Sequence, residues 1–195
     1  MDLSESFAKD EHLTFYRSIL LAYKNFSLSY DIQRVSSFGE RKLLFLSFTA
    51  ALILFLGNLP HQIAVLPIFI NGNITLYVGL LSFITLFFMP LFLYLLSAVL
   101  FVLLKVFKGH GSFYEIRLAF FWSINVAGPI LIINGLLKGF FFDSESIIFV
   151  NLVLEASIGW IFSNMIAEAN QFRSKYPLFF CVALLIILPQ LTALI

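Results

Sequence analysis

The residues able to do chemistry in this 195-residue chain are few and scattered. His12, His61 and His110 stand alone, so no pair has metal-ligand spacing. There is no HExxH motif, GxSxG elbow or GxxxxGKS/T phosphate loop. Gly109-His110-Gly111-Ser112 has the outline of a phosphate loop ahead of a helix, but lacks the preceding strand and the full glycine pattern. The simpler reading is that the two glycines cap one helix and permit a reversal. Ser112 is then the N-cap of the next helix, and Glu115 completes a capping box. Glu155 is the one acidic residue deep in an apolar run, where a charge costs roughly 2.5 kcal/mol or more. We therefore expect a neutral carboxylic acid hydrogen-bonded to the preceding apolar run near residues 125–129, where Pro129 frees the carbonyl of Asn125. Asn125, Asn134, Asn151 and Glu155 form a candidate intramembrane polar cluster, read either as a proton or substrate relay or as one polar staple in a helix hairpin. The lack of a second titratable group inside a span favours the staple. No residue is assigned a catalytic, cofactor-binding or metal-binding role, and no enzyme is expected.

The elements that must position these residues have lipid as their natural solvent. The chain is 61% hydrophobic and 12% charged, with mean hydropathy +0.97, whereas a soluble domain is about a quarter charged. A net charge of +1 offers no field for nucleic acid. The fold class expected is all-α: a polytopic membrane protein with five transmembrane helices at about 43–59, 75–107, 113–137, 147–167 and 178–195. The segment 1–42 precedes them. Within it Leu13, Tyr16, Ile19, Leu20, Tyr23 and Phe26 recur at spacings of three and four. That pattern predicts an amphipathic helix, either lying at the membrane interface or packed on the rest of the cytoplasmic face. Residues 27–42 read as a polar linker. Asn58 and Pro60 are expected to end the first span, leaving 61–74 as a loop. The run 75–107 would rise about 50 Å as a straight helix, so Pro90 suggests one kinked or tilted span rather than two half-spans. Small and polar residues repeat every four positions on the third span (Ala119, Ser123, Ala127) and the fourth (Asn151, Glu155, Gly159, Ser163, Ala167), a spacing that lets helices approach closely in lipid. The single cysteine, Cys181, is expected as a buried structural thiol.

Orientation follows from the basic residues. With five spans and the N-terminus inside, every Lys and Arg except Lys138 falls on the cytoplasmic side. Lys105, Lys108, His110, Arg117, Glu168 and Arg173 then form a candidate cytoplasmic interaction surface. The partners expected are the lipid bilayer and a cytosolic or membrane protein of unknown identity.

Phe107-Lys108-Gly109-His110-Gly111-Ser112-Phe113, the following span with Trp122 and Gly128-Pro129, and Ile166-Ala167-Glu168-Ala169-Asn170-Gln171-Phe172 together resemble the Yip family, the Ypt/Rab-interacting-protein domain, in its bacterial branch. The resemblance runs from about Arg17 to the C-terminus. It implies a five-span, N-inside protein of the bacterial cytoplasmic (inner) membrane. Eukaryotic relatives carry a longer N-terminus with tyrosine-, glycine- and proline-containing motifs and engage Rab-type GTPases. This chain has no such motif, so Rab binding is not carried over, and no catalytic residue transfers. The function expected is a non-enzymatic scaffold or adaptor. The alternative is a small transporter or permease subunit built around Asn151 and Glu155.

Overall fold

The computed structural model describes residues 15–35, 39–69, 74–141 and 147–183. The structure is all-helical over these residues: α1 (Phe15–Lys24), α2 (Phe26–Val35), α3 (Gly39–Phe69), α4 (Ile74–Val106), α5 (Phe113–Phe140) and α6 (Ile147–Ala169), followed by a helical segment at 176–183. Four stretches are long and apolar enough to cross a membrane: Gly39–Ala64, Thr75–Val106, Phe113–Phe140 and Phe149–Ala169. The fifth expected span falls mostly outside the described residues.

α5 is the hub. Of its apolar window 61% is buried, against 17% for α4, so α4 turns most of its surface to lipid while α5 is enclosed by protein. α3 and α5 run parallel and pack most extensively. Glu40 meets Arg117 at one end, Leu46 meets Asn125 further along, and Pro60 meets Gly139 at the other end. Their backbones touch because both helices carry glycine at the crossing. A Cβ on Gly135 would overlap the carbonyl of Gly57, and one on Gly139 would press on Pro60. Such contact replaces the hydrophobic drive that lipid cannot supply. α4 and α6 run antiparallel to α5. Tyr94 and Phe101 of α4 set their rings edge-on to Phe121 and Phe113, and Phe120 does the same to Phe162 of α6. The two small-residue stripes are largely buried, with Ala119, Ser123, Ala127, Gly159, Ser163 and Ala167 all enclosed.

α1 and α2 form a short hairpin lying across α5. Its open end rests on α3, where Phe15 packs edge-on against Phe45 and the Lys42 amine donates to the Gln33 carbonyl at 2.7 Å. Its turn lies against α6 and the residues that follow it.

Several expectations are corrected. Residues 27–35 and 39–42 of the expected linker are helical: Asn25 caps α2 by accepting the Leu28 N–H at 3.1 Å, and the buried face is Ser29, Tyr30 and Gln33. Asn58 and Pro60 do not end the first span, since α3 continues to Phe69. The amphipathic face is also rotated. α1 sets Phe15, Ser18, Ile19 and Ala22 toward the bundle, while Tyr16 and Leu20 are exposed. Cys181 is exposed rather than buried, because the 176–183 segment leans on α6 through Trp160 and Phe179 and leaves its other face open. Pro90 lies inside one continuous α4, so two half-spans are excluded.

Candidate functional site

Two polar constellations lie at opposite ends of the bundle. At the first, α4 and α6 end side by side in the same capping geometry. Lys108 takes a left-handed φ of +60°, the Gly109 N–H donates to the Leu104 carbonyl at 2.9 Å, and the Lys108 N–H donates to Lys105 at 3.0 Å. Gln171 repeats this at φ +55°, with Phe172 donating to Ala167 and Gln171 to Glu168, both at 3.0 Å. These are Schellman caps with a side chain where glycine is usual. The cap residue is therefore Lys108, not either glycine. Gly109 and Gly111 serve a different need: a Cβ on either would overlap Asn170 or the Ala169 carbonyl, so glycine lets the 109–111 loop lie flat on the end of α6. The His110 N–H donates to the Asn170 carbonyl there at 3.3 Å. Ser112 then caps α5 in the expected box. Its Oγ accepts the Glu115 N–H at 3.2 Å, and its N–H donates to Glu115 Oε2 at 2.8 Å.

The α1–α2 hairpin is bolted to this end. The buried Trp122 indole donates to Ser29 Oγ at 3.1 Å, which in turn donates to the Ser18 carbonyl at 3.3 Å. Arg34 pairs with Glu115, and the Tyr30 hydroxyl donates to the Glu115 carbonyl at 3.3 Å. Burial pushes the Tyr30 phenol up, with the Glu115 charge adding to it. Burial also pushes the Asp31 carboxyl up. The neighbouring Glu168 adds to that shift and Arg34 offsets part of it. Glu40 receives Arg117 through both nitrogens, at 2.6 and 3.1 Å, and the guanidinium lies 4.3 Å over the Phe113 ring. Planar Arg suits both contacts at once.

At the opposite end the Lys138 amine donates to Glu155 Oε1 at 2.7 Å. Beside it a cavity of about 50 Å³ is lined by Leu54, Gly57, Asn58, His61, Leu131, Asn134, Gly135 and Lys138. Asn134 is buried in its wall, and its Oδ1 meets no donor among the described residues. A space of this size holds one or a few waters and no organic solute.

The expected polar cluster is thus divided. Asn125 lies apart, donating to Leu46 of α3 at 3.0 Å and to Phe121 at 2.8 Å. Asn134 shares a cavity wall with Lys138, and Lys138 pairs with Glu155. Asn151 lies one turn before Glu155 on α6, with its Oδ1 enclosed. The neutral, Asn125-facing Glu155 is corrected to a Lys138-paired one. The lysine reaches inward along the hairpin, and the pairing offsets part of the cost of the charge. Lys138 and His61 are the residues that sequence reasoning missed here. The signal was available, since Lys138 is the lone base at that end and belongs to the same hairpin as Glu155. On the proposed interaction surface Lys105, Lys108, His110, Glu168 and Arg173 are exposed. Arg117 is not: its side chain is only 12% exposed and held by Glu40, which removes it from that surface.

Among the described residues no group of three His, Cys, Asp or Glu side chains is placed to hold a metal. Comparison of the chain with family models, curated proteins and solved structures finds no match.

Proposed function

We propose that this chain is a non-enzymatic scaffold or adaptor of Yip-like arrangement in a bacterial cytoplasmic membrane, with five spans and its N-terminus inside. The carrying observation is the construction of the 105–117 end. The α1–α2 hairpin, the 109–111 loop and the end of α6 are joined by Trp122–Ser29, Arg34–Glu115 and His110–Asn170 into one platform. Lys108, His110, Glu168 and Arg173 stand outward from it. A platform this heavily tied, with charges left facing out and no chemical constellation, suits holding a partner better than turning over a substrate. Two of the stretches that carry the Yip resemblance, 107–113 and 166–172, meet here. The test is affinity capture of the full chain from native membranes in mild detergent, beside a Lys108→Glu/Arg173→Glu variant that leaves every internal tie intact. A partner held by the wild type and lost by the variant is expected. Failure of any protein to co-purify counts against the adaptor role.

A second reading rests on the Lys138–Glu155 pair beside its cavity, which gives a titratable pair at the opposite end. A transporter using it would lose pH-dependent flux in Glu155→Gln reconstituted into vesicles. The scaffold reading expects a change in stability alone. The small volume favours the scaffold.

A further inference from the structure

Where the span Phe149–Ala169 ends, an open groove of about 490 Å³ lies between the α1–α2 turn and the residues after α6. Its walls carry Lys24, Arg173 and Lys175 against the single carboxylate of Glu168, together with Asn164 and the hydroxyls of Ser27 and Ser174. The first turn of α2, Phe26 and Ser27, also opens into it and brings the positive end of that helix dipole. Lys24 and Arg173 are exposed and make no hydrogen bond or ion pair among the described residues. Lys175 is held in place, donating to Asn164 Oδ1 at 2.7 Å and lying 4.9 Å over the Trp160 ring.

We propose that this groove binds the headgroup phosphate of an anionic phospholipid. The charge calls for an oxyanion, and the surroundings choose its source. Tyr176 lines the groove and Trp160 lies beside it, against Tyr176 and under Lys175, as aromatic rings do at the level of lipid headgroups. Tyr176 and Phe180 then continue from the polar wall as an exposed apolar strip, 57% and 66% exposed, along which acyl chains can lie. A soluble phosphate has no use for that strip, whereas a phospholipid fills both parts. Clustered basic residues at a membrane surface recognise acidic lipids. The inference deepens the scaffold reading by naming a lipid ligand for its platform. It stands independently of protein capture, which can fail while the groove still holds lipid.

The experiment uses the full chain in nanodiscs of zwitterionic lipid doped with a spin-labelled lipid, either anionic or zwitterionic. Quenching of tryptophan fluorescence is read. Trp122 is fully buried, so quenching by lipid reports Trp160. Wild type is expected to be quenched more strongly by the anionic label, and Lys24→Gln or Arg173→Gln should each weaken that preference about five-fold. Lys105→Gln/Lys108→Gln, basic positions outside the groove, should leave it unchanged. Equal quenching by both labels in wild type overturns the proposal. So does an equal loss in the Lys105/Lys108 control, which would mean diffuse surface attraction. Abolition of the preference by millimolar inorganic phosphate would assign the groove to free phosphate and overturn the lipid assignment.

Discussion

Lys108 and Gln171 hold the left-handed backbone conformation that usually belongs to glycine. A side chain there costs about 1–2 kcal/mol, against a smaller entropic cost for glycine. Lys108→Gly or Gln171→Gly should therefore stabilise the protein by roughly 0.5–1 kcal/mol, read as a higher unfolding midpoint in detergent. A lower midpoint would mean that the side chain makes a contact worth more than the strain. At the other end, Lys138→Met leaves the Glu155 carboxylate facing a partner that is gone. A loss of about 1–2 kcal/mol is expected, because a charge-assisted hydrogen bond of a partly buried pair is removed. Lys138→Met/Glu155→Gln should recover much of it, and a double-mutant cycle measures the coupling. If the double variant is as unstable as the sum of the singles, the pair does not act as a unit.

At the scale of elements, the α3–α5 contact is the joint on which the fold depends. Gly135→Ala drives a methyl into the Gly57 carbonyl, and neither backbone can yield without separating the helices. A loss at the upper end of overpacking costs, about 3 kcal/mol, is expected. Gly79→Ala on α4 meets nothing within 4 Å and should be neutral or slightly stabilising. The two measured together separate helix propensity from packing. Docking of α2 on α6 should respond to pH through Asp31. Its folded-state carboxyl is raised above the ordinary 3.8 by burial and by Glu168. The folded state therefore holds the proton more tightly than the unfolded one. The contribution is most favourable below 3.8 and is lost as pH rises through the raised value. The protection factors of α2 amides, exchange rates taken relative to the unstructured chain at the same pH, should thus rise on acidification over that window, and Asp31→Asn should give the higher protection already at neutral pH. No difference between Asp31→Asn and wild type at neutral pH would remove Asp31 from the account.

At the scale of the whole molecule, the ties between helices set which ends share a side. Arg117–Glu40 and His110–Asn170 place the 39–42, 105–117 and 170–175 stretches together, with Lys138 opposite. The proposed orientation then makes a labelling prediction. In a Cys181→Ala background, Phe140→Cys should react with a membrane-impermeant maleimide in intact cells, and Lys108→Cys only after lysis. The reverse pattern would invert the protein.

Composition by itself determined the solvent, the all-helical class and the four spans within the described residues, because apolar runs of this length have no other way to satisfy their backbones in lipid. Local chemistry was legible as well: Ser112 and Glu115 sit three residues apart and form the expected box. The second helix of the hairpin was not legible, since Asn25 and a face of Ser29, Tyr30 and Gln33 carry no apolar period. The end of α3 was misread because Pro60 forfeits one ladder bond without stopping the helix, which runs on to Phe69. The partner of Glu155 and the division of the asparagines were decided by tertiary structure alone. A polar side chain in lipid takes whichever neighbour the packing brings within reach. Here the packing was set by which glycines met: Gly57 with Gly135, and Gly109 and Gly111 with the end of α6.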